Sequence, residues 1–91
     1  MNKNLEKLRR QIDNIDKKIL ILLAKRMDIV KKIGKFKKEN NISPLDKKRW
    51  DKVLDLSLSH ANSLKLSKEF VKNIYSLIHK YSVELQRRGR L

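Results

Sequence analysis

From Leu5 to Phe36 the chain places apolar side chains at alternating steps of three and four: Leu5, Leu8, Ile12, Ile15, Ile19, Leu22, then Ile29, Ile33 and Phe36. Neither glycine nor proline interrupts this run before Gly34. Such spacing holds a narrow stripe on one side of a helix of ~3.6 residues per turn, as in a coiled-coil seam. It predicts one helix over about residues 4–40, and extra apolar residues at Ile21, Leu23, Ala24 and Val30 widen the stripe so that it meets more than one neighbour. At ~1.5 Å per residue the helix is roughly 50 Å long, whereas a compact chain of this length has a radius of gyration near 12 Å, roughly. The rest of the 91-residue chain is too short to cover it, and a second copy of the chain is the economical cover.

After Asn40 and Asn41, Ser43 followed by Pro44 reads as a helix cap with proline in the first helical position, and Asp46 falls three residues later. The second helix is predicted through Trp50, Val53, Leu54, Ser57, Leu58 and Ala61, with a connection from His60 to Leu66. Ser67 is the expected cap of a third helix that carries Phe70, Ile74, Leu77, Ile78, Tyr81 and Leu85 on one face. β-branched and polar residues nowhere alternate over a useful stretch, so the expected fold is all-α: one long, one short and one medium helix in a single domain, residues 1–91. Residues 86–91 are expected to be a frayed tail.

Lys and Arg number 24 against 10 Asp and Glu, a formal charge of +14. This excess suits nucleic acid, an anionic membrane surface or a small anionic ligand. It is spread along the chain and not gathered in a tail, and most of it is Lys, which reads as solvated surface. Arg9, Arg10, Arg26 and Arg49 are more informative, because a guanidinium offers a rigid fork for carboxylate or phosphate. The absence of Cys excludes disulfides, thiolate metal sites and cysteine nucleophiles, and His60 and His79 are too few and too separated for a metal site. No apolar run approaches a membrane span, and MNKNLEKLRR lacks the apolar stretch of a signal peptide, so a cytoplasmic protein is expected.

Where the long seam asks for Leu or Ile it holds Arg26. An unpaired guanidinium on a buried face is costly, so an anion is expected to meet it. That anion is either a side chain such as Asp28 or Glu84, with Arg26 setting register, or a ligand. Lys37 lies eleven residues on, about three turns and within about 20° of the same face, so the two cations flank one wall at ~16 Å. Arg9 is about 100° away from that face, within reach only from a partner chain. Ser82 and Gln86 continue the third helix's stripe by steps of four beyond Ile78, replacing apolar side chains with a hydroxyl and an amide; fraying explains them as well as a site does. Arg49 sits beside the second helix's apolar face. Several cations with neutral donors, and no His, Cys or paired carboxylates among them, describe a pocket for a dianion without nucleophilic or acid–base machinery.

These residues also carry a family likeness. LEKLRRQIDNIDKKILILLAKRMDIVKKIGKFK, then Pro44 and DKKRWDKVL, then IYSLIHKYSVELQ, resembles the all-helical class of chorismate mutases over about residues 5–86. L-R-x-x-I-D-x-I-D, L-L-x-x-R, I-G-x-x-K and S-x-x-x-Q are weak singly and specific in this order. The resemblance implies an intertwined homodimer of three-helix chains and the Claisen rearrangement of chorismate to prephenate in phenylalanine and tyrosine synthesis, with no cofactor and no metal. It implies that Arg9 enters from the partner and, with Arg26, holds the substrate's carboxylates. It further implies that Lys37 and Gln86 hydrogen-bond the ether oxygen, that Arg49 and Ser82 position the substrate, and that Asp46 lies near the ring hydroxyl.

One position departs from the pattern. The family commonly has Glu after the residue matched by Arg49, and here Trp50 stands there, either as core or as part of the pocket. Relatives acting on 4-amino-4-deoxychorismate or isochorismate also depart at this place, so those substrates stay open. A basic helical dimer on nucleic acid is the other reading; the few aromatics on apolar faces and the absence of a helix-turn-helix or clustered Arg stripe speak against it.

Overall fold

The computed structural model describes residues 2–88 and contains three helices: α1 (Lys3–Glu39), α2 (Lys47–Ser63) and α3 (Lys68–Arg88). Among the described residues there is no strand, and no helix is long and apolar enough to cross a membrane. Asn2 caps α1, its side chain accepting from the backbone N–H groups of Asn4 and Leu5 at 3.1 and 3.2 Å. The helix closes with Asn41 in the left-handed region at φ 55° while Ile42 N–H reaches back to the Lys37 carbonyl at 2.8 Å. This is a Schellman closure made with Asn, one of the few side chains that tolerates that backbone. The same closure ends α2, with Lys65 at φ 59° and Leu66 N–H on the Ala61 carbonyl at 2.8 Å.

Three boundaries differ from expectation. The cap of α2 is Asp46, whose Oδ1 accepts from Arg49 N–H at 3.0 Å, and neither Ser43 nor Pro44 is helical. Starting later leaves the Pro44 carbonyl outside the helical ladder, where the Lys37 ammonium donates to it at 2.9 Å. At its other end α2 runs through His60 to Ser63, because the closure at Lys65 lets the helix absorb the predicted connection. Gln86, expected to begin a frayed tail, is helical and buried, and α3 continues to Arg88. Residues 89–91 of that predicted tail lie outside the described residues. Ser67 does cap α3, its Oγ accepting from Phe70 N–H at 3.2 Å.

α3 is the hub, packing against α1 and α2, while α1 and α2 do not pack on each other. The core is small: Val30, Ala61, Val71 and Val83 are buried, together with Ser57, Ser82 and Gln86. The face of α3 that turns inward contains Val71, Ser82 and Gln86, with Tyr75 and Ile78 half-buried between them. It is rotated by about one residue from the predicted stripe, of which Phe70, Ile74, Leu77 and Tyr81 are exposed. A helix serving two neighbours turns its inner face between them. The chain extends 58 × 26 × 15 Å with a radius of gyration of 16.9 Å, well above the roughly 12 Å of a compact chain. Most of the α1 seam has no cover: Leu8, Ile12 and Ile15 are 55%, 56% and 54% exposed.

α1 and α3 approach each other closely at Gly34. A Cβ there would come within 3.1 Å of both Cα and Cγ of Gln86, so the missing side chain lets the helices approach and sets where Gln86 stands. Because one of the opposing atoms is backbone, a methyl cannot be relieved by a side-chain rotation alone. Gly34→Ala is therefore expected to destabilise the protein by about 1–3 kcal/mol through overpacking, read as a lowered urea midpoint with helical content retained.

Candidate active site

Because α3 separates α1 from α2, the two outer helices face each other across a gap. The gap is a cavity of about 240 Å³, of a size for a compact ligand and not for a polymer. From α1 it receives Arg26 and Lys37; from the α2 cap and first turn, Asp46, Arg49 and Trp50; and from α3, Ser82 and Gln86. Apolar side chains including Ile29, Val30, Ile33 and Val53 form the rest of the wall. Seven of the eight residues singled out in the sequence thus stand around one space. Arg9 is the exception: it is an exposed residue on the first turns of α1 and does not line the cavity of its own chain.

Arg26 is half-buried and held from across the helix interface. Its Nη1 donates to Ser82 Oγ at 2.8 Å, and that hydroxyl in turn donates to the Ile78 carbonyl one turn back at 2.7 Å. Met27 Sδ, 3.8 Å from the same oxygen, is a weaker acceptor for the proton. Arg26 is therefore positioned by a neutral group, not by Asp28 or Glu84, and its orienting contact does not neutralise it. Lys37 is likewise held by a neutral acceptor, the Pro44 carbonyl at 2.9 Å, with two further N–H donors available to a ligand. Asp46 is the carboxylate at this wall, and one of its oxygens is engaged as the α2 cap. Three cations against one partly engaged carboxylate make the cavity electropositive.

The Gln86 amide completes the inner end. The residue is 8% exposed, and its Oε1 has no hydrogen-bond partner among the described residues. Leaving a buried polar atom unpaired costs about 1–3 kcal/mol, and as an amide oxygen this atom can pair with a donor and not with another acceptor.

His79 is the polar residue that the sequence did not bring into the set, and its presence corrects the expectation of a pocket with no His. It lines the cavity from α3 and stacks on Trp50, ring centroids 4.3 Å apart and planes inclined by 21°. Trp50 is accordingly part of the wall. Burial, then the positive charges of Arg26 and Lys37, hold the imidazole pKa below its ordinary 6.5. A signal was present in the sequence: His79, Ser82 and Gln86 follow steps of three and four, which puts them on one face. Low His content bears on metal ligation and says nothing of that spacing.

Three helices that hold cations and neutral hydrogen-bonding groups around a small cleft define an all-helical domain suited to a compact organic anion. The family model described as chorismate mutase type II matches residues 8–87. A bifunctional chorismate mutase/prephenate dehydratase of Buchnera aphidicola subsp. Acyrthosiphon pisum (strain APS) is 37% identical over 87 residues, which are 96% of this chain and 23% of that protein. The chain thus spans less than a quarter of the length of this curated relative. A solved structure of a conserved hypothetical protein from Pyrococcus furiosus is similar at a TM-score of 0.73 and 34% identity, covering 94% of this chain and 99% of the other. The chain belongs to the chorismate mutase type II family.

The depressed imidazole pKa has a consequence for stability. Below 6.5 the unfolded chain takes up a proton at His79 that the folded chain resists. Stability is therefore fully present above that pH and declines as the pH falls through the window beneath it. Urea midpoints measured from about pH 8 to about pH 5 should show this decline in the wild type, and His79→Phe should flatten that part of the profile.

Proposed function

We propose that the chain is a chorismate mutase that converts chorismate to prephenate, working as a homodimer in the cytoplasm. The observation that carries this reading is the convergence of Arg26, Lys37 and Gln86 on one cavity from two helices. Chorismate is a dicarboxylate whose rearrangement breaks a carbon–oxygen bond as a carbon–carbon bond forms, passing no proton or electron to the protein. What it asks of a site is a held reactive conformer and donors aimed at the oxygen on which negative charge develops. Arg26, oriented by Ser82, takes one carboxylate. Lys37 and Gln86 donate to the ether oxygen: the ammonium with the N–H groups that Pro44 leaves open, the amide through its NH₂. Arg49 and Asp46 flank the ring side.

The second carboxylate is met by Arg9 from the partner chain. Two observations support a second copy: Arg9 is remote from its own cavity, and Leu8, Ile12, Ile15 and Ile19 leave a continuous apolar seam in water on the same stretch of α1. Exposed apolar faces of this extent mark interaction surfaces. Trp50, standing where the family commonly has Glu, favours keeping a second substrate reading in view, a mutase or lyase of 4-amino-4-deoxychorismate or isochorismate.

Loss of chorismate absorbance should follow addition of the protein, with prephenate as product, and parallel incubations with isochorismate and the 4-amino analogue separate the two readings. No turnover above background at micromolar enzyme overturns the assignment. Arg26→Ala and Lys37→Ala are each expected to lose at least ~3 kcal/mol of transition-state stabilisation, on the order of 10²-fold in kcat/KM.

Sharing of sites between chains has its own test. Arg9→Ala and Arg26→Ala chains, each inactive alone, should regain activity when co-expressed, because a mixed dimer has one site with both arginines intact. With statistical pairing about a quarter of all sites recover. An Arg9→Ala protein of wild-type activity, or a mixture that stays inactive, refutes donation across the interface.

A further inference from the structure

Each cation at the cavity has a task in this mechanism, whereas His79 has none. Its ring is fixed from two sides, by its place on α3 and by the Trp50 indole stacked against it from α2. Among the described residues neither ring nitrogen has a hydrogen-bond partner. The charged groups around the same space are Arg26 and Lys37 from α1 and Asp46 and Arg49 from the start of α2. Beside the two α1 cations the imidazole is neutral near neutral pH, and a neutral imidazole presents one donor and one acceptor.

The other polar groups are largely committed. Ser82 Oγ accepts from Arg26 and donates to Ile78, and Asp46 Oδ1 caps α2. Lys37 and Arg49 are charged donors suited to oxygens that carry or gain negative charge. The Gln86 NH₂ is occupied by the ether oxygen in the proposed mechanism, and its Oε1 can only accept. With Gln86 Oε1 and the second Asp46 oxygen limited to accepting, the imidazole is the uncharged open group at the cavity that can both donate to and accept from the uncharged polar part of a ligand.

We propose that His79 is a specificity-determining residue that hydrogen-bonds the substrate's ring hydroxyl, with Trp50 as the plate that keeps the imidazole in place. This rests on the chorismate mutase reading above. Trp50 then acts on the hydroxyl indirectly, through the ring it holds, and need not offer an acceptor of its own.

The test compares chorismate with an analogue in which hydrogen replaces the ring hydroxyl. His79→Phe keeps an aromatic ring for Trp50 and removes both nitrogens. The expected result is a loss of about tenfold in kcat/KM for chorismate, the scale of one hydrogen bond, with turnover of the deoxy analogue unchanged. His79→Gln, which restores a donor and an acceptor without the ring, should keep part of the preference for the hydroxyl-bearing substrate. Equal losses of the Phe variant on both substrates, or no loss on chorismate, overturn the assignment. A wild-type protein inactive on both substrates overturns the mutase reading itself, whereas an active wild type with an indiscriminate His79→Phe variant overturns only the role of His79.

Discussion

Arg26 stands in an apolar seam and is held there by a hydroxyl. The contact joins α1 to α3 at the place where a leucine would otherwise have packed, and it does so without cancelling the charge. Had the partner been a carboxylate, α1 and α3 would be tied by a closed ion pair with nothing left for a ligand. A neutral acceptor orients the guanidinium and leaves its field directed into the cavity. Ser82 can serve because its own proton goes to the Ile78 carbonyl, which leaves its lone pairs for Arg26. The orientation of the charge at the cavity thus depends on one hydroxyl.

The other features of the fold bring groups to that point. Gly34 lets α3 approach α1 closely enough for Gln86 to be buried at the wall, and α3 in turn keeps α2 away from α1, so that a space remains between them. The turn from Asn40 to Asp46 then crosses this space. Its left-handed Asn41 reverses the chain, and the late start of α2 at Asp46 leaves a carbonyl facing Lys37. The open seam on the first half of α1 is a large apolar surface that these contacts do not satisfy. In the proposed dimer it becomes the structure's main apolar interface.

The parts of this arrangement set by local chemistry were legible in the sequence. The length of α1 follows from its sustained three-and-four spacing, the break after it from the segment Asn40 to Pro44, and the α3 boundary from Ser67. The joint position of Arg26 and Lys37 followed from helical arithmetic alone. What escaped was decided by tertiary contact. Ser43 and Asp46 are both competent caps, and the choice between them coincides with a hydrogen bond between Lys37 and Pro44 that local pattern does not reveal. The rotation of α3 reflects two neighbours at once, which a single stripe cannot encode. His79 has the spacing of its site companions, but between Ile78 and Lys80 it has no apolar pattern to violate, so nothing marked it in the way that the seam marked Arg26.

The bond from Lys37 to the Pro44 carbonyl also bears on the thermodynamics of binding. A free lysine samples many rotamers, and fixing one costs up to about 2 kcal/mol of side-chain entropy. Of the chain's many lysines, this one has its head group already fixed at the cavity before any ligand arrives. The loss of freedom therefore falls on folding and not on association. The adjacent carbonyl dipole, aligned with the ammonium in the resting state, also leaves little to reorient when charge builds on a bound oxygen. A flexible surface side chain is thereby converted into part of a rigid electrostatic frame.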